Sequence, residues 1–141
     1  NGAYYVYGFI ASTTPSKQFA YEMDLSVAID FEKATHYAFF SMQSVVLYAV
    51  GSQLWGYDYV RKDAKMLKDF QSEITYLAMD YNSNDTPTDL IVATYNASEK
   101  GIVRKFTITD DPNKIEITPH EKDVWNTDLK VAKVEYRNSA F

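Results

Sequence analysis

Aromatic side chains are the residues of this sequence best suited to binding a ligand. Trp55, Tyr57 and Tyr59 alternate, so a strand would place all three on one face, and Trp125 stands in a polar stretch, HEKDVWNTD, that is expected to form a loop. Aromatic faces stack on sugar rings or receive a peptide, because they bury a large area at low cost in side-chain entropy. These four residues are therefore candidate ligand-binding residues. For the three on the strand, packing between sheets is the favoured alternative.

Paired carboxylates are the next candidates, because a glycosidase needs two of them across the scissile bond, one with a raised pKa. Three acidic pairs occur: Glu22 with Asp24, Asp30 with Glu32, and Asp110 with Asp111. The last pair precedes a proline and is typical of a turn, and Asp24 suits a helix N-cap. Structural roles are favoured for all three pairs. We therefore predict no catalytic residue from the sequence.

One stretch has part of the spacing of a calcium-binding loop. Asp80, Asn82 and Asn84 occupy alternate positions, as the ligands of an EF-hand loop do. Such a loop needs glycine at its sixth position and glutamate at its twelfth, where this sequence has Asp85 and Ile91. A hairpin loop that uses Asn and Asp for their turn conformations is the better interpretation.

Composition limits the remaining classes of function. The chain has 141 residues, of which 46% are hydrophobic and 23% charged, as is typical of one globular domain. The net charge of -5 offers no basic stripe to nucleic acid. There is no cysteine, and the two histidines, His36 and His120, lie far apart in sequence, so we expect no metal and no cofactor. No apolar run approaches the roughly 18 residues of a membrane span.

Short apolar runs separated by polar breaks predict an almost entirely β protein. The N-terminal segment, residues 1–34, is expected to hold strands at 4–10 and 19–23. Leu25, Ala28 and Ile29 then follow helical spacing, which predicts one short helix at residues 25–33.

Two similar units follow the N-terminal segment, at residues 35–70 and 74–120. A closing strand is expected at residues 129–136. Strands of the first unit are expected at 37–42, 45–50, 54–60 and 65–70. Strands of the second unit are expected at 74–80, 90–95, 102–108 and 115–117.

Polarity rises from the first strand to the last in each unit. Residues 37–42 and 45–50 are apolar on both faces, as in strands that are covered on both sides, whereas residues 65–70 are more polar. A β-propeller blade needs this gradient, because blades stack face to face with the first strand innermost. The units also repeat at about 40–50 residues, as propeller blades do. A β-sandwich remains the alternative, since amphipathic hairpins look alike.

The sequence also resembles a known family. Residues 24–42 (DLSVAIDFEKATHYAFFSM), 47–59 (LYAVGSQLWGYDY) and 130–139 (KVAKVEYRNS) are similar to the C-terminal part of the PKD-like family of Bacteroidetes lipoproteins. The resemblance implies a cell-surface or periplasmic protein whose propeller region is similar to WD-repeat and YVTN propellers. It implies no catalytic residues. A complete propeller needs at least four blades, so the 141 residues are expected to be one β domain from a larger propeller.

Together these observations favour a non-enzymatic binding or scaffold module of a bacterial surface lipoprotein, of the protein-protein or cell-adhesion type. The alternative is a glycan-binding module or a glycan-active enzyme whose site lies between blades. Two blades would leave two apolar faces uncovered, so the isolated chain is also expected to self-associate.

Overall fold

The computed structural model describes residues 5–9, 19–24, 33–40, 45–58, 61–81, 87–109, 114–135 and 141. Ten strands occur within these residues, together with a single 3-10 residue and no longer helix. The described part of the chain is therefore all-β, as predicted. The predicted helix at 25–33 lies outside the described residues apart from Lys33, and Tyr59 lies outside them as well.

The N-terminal strands form a separate two-stranded antiparallel sheet. Strand β1 spans Tyr5–Phe9 and β2 spans Phe19–Asp24, with Tyr5 opposite Asp24 and a register shift between Gly8 and Phe9. The bounds of both strands lie within one residue of the predicted bounds.

The first predicted unit is a four-stranded antiparallel meander. Its strands are β3 (His36–Phe40), β4 (Val45–Val50), β5 (Gln53–Asp58) and β6 (Asp63–Asp69), adjacent in chain order. The β4–β5 turn has only two residues, and Gly51 at its first position has a φ of 58°, which glycine adopts without a steric penalty. The turn fixes the register in which Ala49 lies opposite Leu54.

The second unit is a meander of the same order. Its strands are β7 (Glu73–Tyr81), β8 (Pro87–Asn96), β9 (Lys100–Ile108) and β10 (Ile117–Thr127). The β8–β9 turn is held by Asn96, whose Oδ1 accepts hydrogen bonds from the backbone N–H groups of Ser98 and Glu99 at 2.9 and 2.6 Å. Such an Asn-capped turn closes the hairpin tightly.

The two sheets pack face to face over one core. The buried residues of this core come from both sheets: Ala38, Val45, Leu47, Ala49 and Leu54 from the first, and Ile74, Leu77, Leu90, Val92, Phe106 and Ile108 from the second. Phe70 lies edge-on to Phe106, with ring centroids 5.7 Å apart. Edge-to-face contact is a favoured aromatic geometry and adds to the burial of both rings.

The sheets lie closest together at their first strands and diverge toward their last. Strand β7 contacts β3 more extensively than it contacts β4 or β5. On the β6 and β10 side, the half-buried side chains of Leu67, Ile115 and Ile117 pack against the core, and a cavity of about 220 Å³ lies beside them. The interface is therefore a wedge, narrow at β3 and β7 and wide at the outer strands.

Burial follows the predicted gradient in most strands. Strand β4 has five consecutive buried residues, and β7 is more buried than β6 or β10. Strand β3 departs from the prediction, because Tyr37 is exposed while the next residue, Ala38, is buried. The two first strands form the edges of their sheets, but they lie against each other across the wedge.

A C-terminal strap, which we define as residues 128–135 with Phe141, crosses the outer face of the second sheet. Val131, Val134 and Phe141 pack on Ile91, Ala93 and Val103. The Lys130 ammonium binds the Glu73 carboxylate at 2.8 Å, at the start of β7. The strand predicted at 129–136 is not found at residues 129–135, because these side chains cover a sheet face and their backbone adds no ladder to its edge.

The end of the second unit also differs from the prediction. Its fourth strand was expected at residues 115–117 and instead spans Ile117–Thr127, so Trp125 lies on a strand and not in a loop. The register shifts between Pro119 and Val124, and the four residues between them bulge opposite one residue of β9. The bulge breaks the alternation of polar and apolar residues, and for this reason the sequence of residues 120–128 predicts a loop.

The outer faces of both sheets are covered. On the first sheet Val46, Tyr48 and Tyr57 are buried on the face away from the core, and Ala34 packs against them. On the second sheet the C-terminal strap fills the same role. Self-association stays a prediction. The central residues of both outer faces are buried, whereas Tyr37 and Met66 on the outer face of the first sheet remain exposed.

The strap passes over β9 at a glycine. A Cβ at Gly101 would clash with the Leu129 carbonyl oxygen, so Gly101→Ala must push the strap away. We expect Gly101→Ala to lower the free energy of unfolding by about 1–3 kcal/mol, measured by thermal or urea denaturation.

Gly56→Ala is the matched control for this substitution. Its added Cβ would meet Leu67 at 3.4 Å, an ordinary contact with a flexible side chain, so stability should change little. Equal stability of the two variants would show that the strap does not lie against β9.

Candidate functional site

The aromatic row on β5 is part of the packing of the first sheet. The Trp55 ring stacks on Tyr48 with centroids 6.4 Å apart and planes inclined by 18°, and its Nε1–H donates to Gln53 Oε1 at 3.1 Å. Tyr57 is only 6% exposed, and burial, with a smaller contribution from the neighbouring Asp58 charge, raises the pKa of Tyr57. Trp55 and Tyr57 therefore pack on the outer face of the first sheet and not in the core between the two sheets, where the favoured alternative would place them.

Trp125 is placed differently, with 48% of its surface exposed. It lies opposite Val103 of β9 in the register, beside the apolar patch that the C-terminal strap covers. The indole and the strap together line a groove of about 180 Å³. The lining residues are Trp125, Val131, Lys133, Val134, Glu135 and Phe141.

Among the described residues that line this groove, one is a cation and one is an anion. The Lys133 ammonium lies 3.9 Å from the Glu135 carboxylate, and both side chains are mostly exposed to solvent. An exposed pair of this kind contributes little to stability, so its groups remain able to exchange partners. The groove thus combines an aromatic floor with a hydrogen-bond donor and an acceptor on its rim.

Next to this groove on the same sheet lies a charged cluster that the sequence did not predict. The Lys105 ammonium, on β9, lies 3.1 Å from the Asp80 carboxylate on β7 and 3.3 Å from the Asp89 carboxylate on β8. Lys105 is only 7% exposed. Burial alone would lower the pKa of Lys105, but hydrogen bonds and charge from the two carboxylates outweigh it and raise that pKa.

The bulge of β10 adds a histidine to this cluster. His120 Nε2 contacts the Thr107 hydroxyl and lies 3.4 Å from Asp89 Oδ1, while Nδ1 lies 3.3 Å from Asp123 Oδ2. The Thr107 hydroxyl donates to Asp89 Oδ1 at 3.0 Å. A bulge can re-aim a side chain in this way, and here it turns His120 and Asp123 toward the face of the sheet.

The chemistry of the cluster is that of an ion-pair network. Asp80 and Asp89 share one ammonium group, so each has a cationic partner, whereas a glycosidase acid needs an apolar setting that keeps it protonated. Asp80, the first residue of the calcium-like spacing, lies on β7 and bonds Lys105. Within the described part of the chain, no group of three or more histidine or acidic residues is arranged to hold a metal ion.

One carboxylate with a shifted pKa, that of Asp69, lies at the end of β6. The Asp69 carboxylate accepts hydrogen bonds from the backbone N–H of Gln71 at 2.9 Å and from the Ser52 hydroxyl at 2.8 Å. These bonds, that of Gln71 first, lower the pKa of Asp69. The carboxylate joins the β4–β5 turn to the chain that leads into β7.

The remaining candidates are not brought together with Trp125. His36, on β3, contacts the adjacent Thr35 hydroxyl through Nδ1 at 2.9 Å and belongs to the other sheet from His120. Asp24 ends β2, and the acidic residues at 30, 32, 110 and 111 lie outside the described residues.

Comparison with models of protein families, with curated proteins and with solved structures finds no match for this chain. Within the described residues, no helix is long and apolar enough to cross a membrane. The site must therefore be interpreted from its own geometry.

Removing the ammonium group of the charged cluster would leave two carboxylates without their cation. We expect Lys105→Met to lower the free energy of unfolding by about 3–5 kcal/mol, measured by urea denaturation, since breaking a buried ion pair costs that much. Adding Asp80→Asn and Asp89→Asn to Lys105→Met should restore part of the loss.

The control for this experiment is Lys114→Met. Lys114 binds Glu116 at 3.0 Å on the surface, with both side chains about half exposed, so its loss should change stability little. A similar effect of Lys105→Met and Lys114→Met would contradict the role assigned to the cluster.

The lowered pKa of Asp69 makes stability depend on pH. Its carboxylate contributes to stability above the ordinary pKa of 3.8, and the contribution is lost as the pH falls through the lower folded value. Thermal denaturation of the parent and of Asp69→Asn should therefore show a difference in Tm at pH 6 that shrinks below about pH 4. A difference that is constant with pH would contradict the assignment.

Proposed function

We propose that this chain is a non-enzymatic binding or scaffold module of a bacterial cell-surface or periplasmic lipoprotein, of the protein-protein or cell-adhesion type. The observation that carries the proposal is Trp125, a large aromatic side chain that is half exposed beside a groove on the outer face of the second sheet. Exposed aromatic residues of this kind are enriched at binding surfaces, where they supply area and a polar handle together.

The acids with ion or hydrogen-bond partners support a binding role over catalysis. Asp80 and Asp89 are paired with Lys105, and Asp69 caps a turn. These are structural tasks, and none of these carboxylates lines the groove beside Trp125. A hydrolase would need two close carboxylates facing a concave pocket.

The wedge between the two sheets supports a propeller-type arrangement. Blades arranged around an axis lie closest at their innermost strands and separate toward the rim, and β3 with β7, then β6 with β10, follow that order. The lipoprotein assignment and its location rest on the resemblance of residues 24–42, 47–59 and 130–139. In this proposal the module is one part of a larger propeller.

A bead-adhesion assay on a defined set of immobilised proteins and polysaccharides tests the proposal. The purified chain, coupled to fluorescent beads, is applied to immobilised extracellular-matrix proteins and polysaccharides, and bead retention is measured. We expect retention on at least one surface, and we expect Trp125→Ala to reduce it about tenfold, because loss of a central aromatic residue typically costs more than 1 kcal/mol.

Met66→Ala is the matched control. Met66 is a large apolar residue of similar exposure, 42%, but it lies on β6 in the other sheet. Retention that falls equally for Met66→Ala and Trp125→Ala would indicate non-specific adhesion, and retention on no surface would contradict the binding proposal.

A further inference from the structure

The groove beside Trp125 has the parts of a sugar-binding subsite. We infer that it binds one uncharged sugar ring of an oligosaccharide, with the ring stacked on the Trp125 indole and its hydroxyl groups bonded to Lys133 and Glu135. The inference rests on the proposed binding function and adds the chemical class of the ligand.

The indole is suited to be the floor of such a site. Trp125 lies opposite Val103 on a hydrogen-bonded strand, and Val131, Val134 and Phe141 of the strap line the groove beside it. The C–H face of a sugar ring packs on a flat aromatic surface, because the aromatic face carries partial negative charge. A platform held on a strand costs little entropy when the ring docks.

The size of the groove limits the ligand to a small group. Its volume of about 180 Å³ is below the roughly 300–1,000 Å³ of clefts that enclose drug-sized ligands. The groove therefore suits one ring, and the rest of a longer saccharide would lie along the surface.

The rim favours hydroxyl groups over a charged ligand. Lys133 offers only hydrogen-bond donors and Glu135 only acceptors, 3.9 Å apart, and a hydroxyl can accept from the first while its neighbour donates to the second. Lys133 and Glu135 carry opposite charges, so this pair favours neither an acidic sugar nor a cation. Since their contact is exposed, weakening it in exchange for hydroxyl contacts costs little.

NMR titration of the indole N–H signals provides the test, because the chain has two tryptophans. Trp55, which stacks on Tyr48 in the first sheet, serves as the internal reference, and Trp125→Phe assigns the signals. The probes are the neutral hexasaccharides of cellulose, xylan, mannan and chitin. We expect at least one of them, at millimolar concentration, to shift the Trp125 signal saturably while the Trp55 signal stays in place.

Variants of the rim then separate specific recognition from simple stacking. Calorimetric titration with the same saccharide should show Trp125→Ala binding about tenfold more weakly, and Lys133→Met and Glu135→Gln each about fivefold more weakly. Val124→Ala is the matched control, since Val124 is exposed on the opposite face of β10 and should leave the affinity unchanged.

Three results would overturn the inference: no saccharide shifts the Trp125 signal, the rim variants bind as the parent does, or oligogalacturonate binds more tightly than every neutral probe. If beads adhere to a protein through Trp125 while no saccharide binds, the binding function stands and the sugar site is wrong. If neither binds, both are wrong.

Discussion

The central strands of both sheets are apolar on both faces, and this constraint determines the rest of the structure. Strand β4 is buried at five consecutive positions, and β8 is buried from Leu90 to Thr94. Each sheet therefore needs cover on two sides, but two stacked sheets cover only their inner faces. The C-terminal strap supplies the missing cover for the second sheet, and the groove beside Trp125 exists because the strap meets the edge strand there.

Much of the fold could be predicted from the sequence, because apolar runs and turn residues are local signals. The bounds of β4 were predicted to the residue, and the two four-stranded units were separated correctly. The prediction failed where the structure does not follow the local sequence pattern. In β10 a bulge shifts the alternation between Pro119 and Val124, and residues 129–135 cover a face of the sheet without joining it. Periodicity carries no signal for either feature.

Only part of the site could be predicted. Trp125 was named from its type and polar surroundings, but its groove depends on Val131, Val134 and Phe141, which pack on β8 and β9. The cluster of Asp80, Asp89 and Lys105 could not be predicted, since it joins three strands through their register. The sequence shows only that β9 carries Arg104 and Lys105 on adjacent positions, which lie on opposite faces of a strand, and a buried lysine requires an anionic partner.

The connection between the sheets makes them one mechanical unit. Only residues 70–72 separate β6 from β7. The N–H of Phe70 donates to the Ser52 carbonyl oxygen, and the N–H of Ile74 donates to the Gly51 carbonyl oxygen, each at 2.9 Å. The β4–β5 turn is thus hydrogen-bonded to the connection and to the first residues of the second sheet. A hinge between the sheets would have to break both bonds together with the core beneath them. Tension applied along the chain would accordingly load the two sheets jointly.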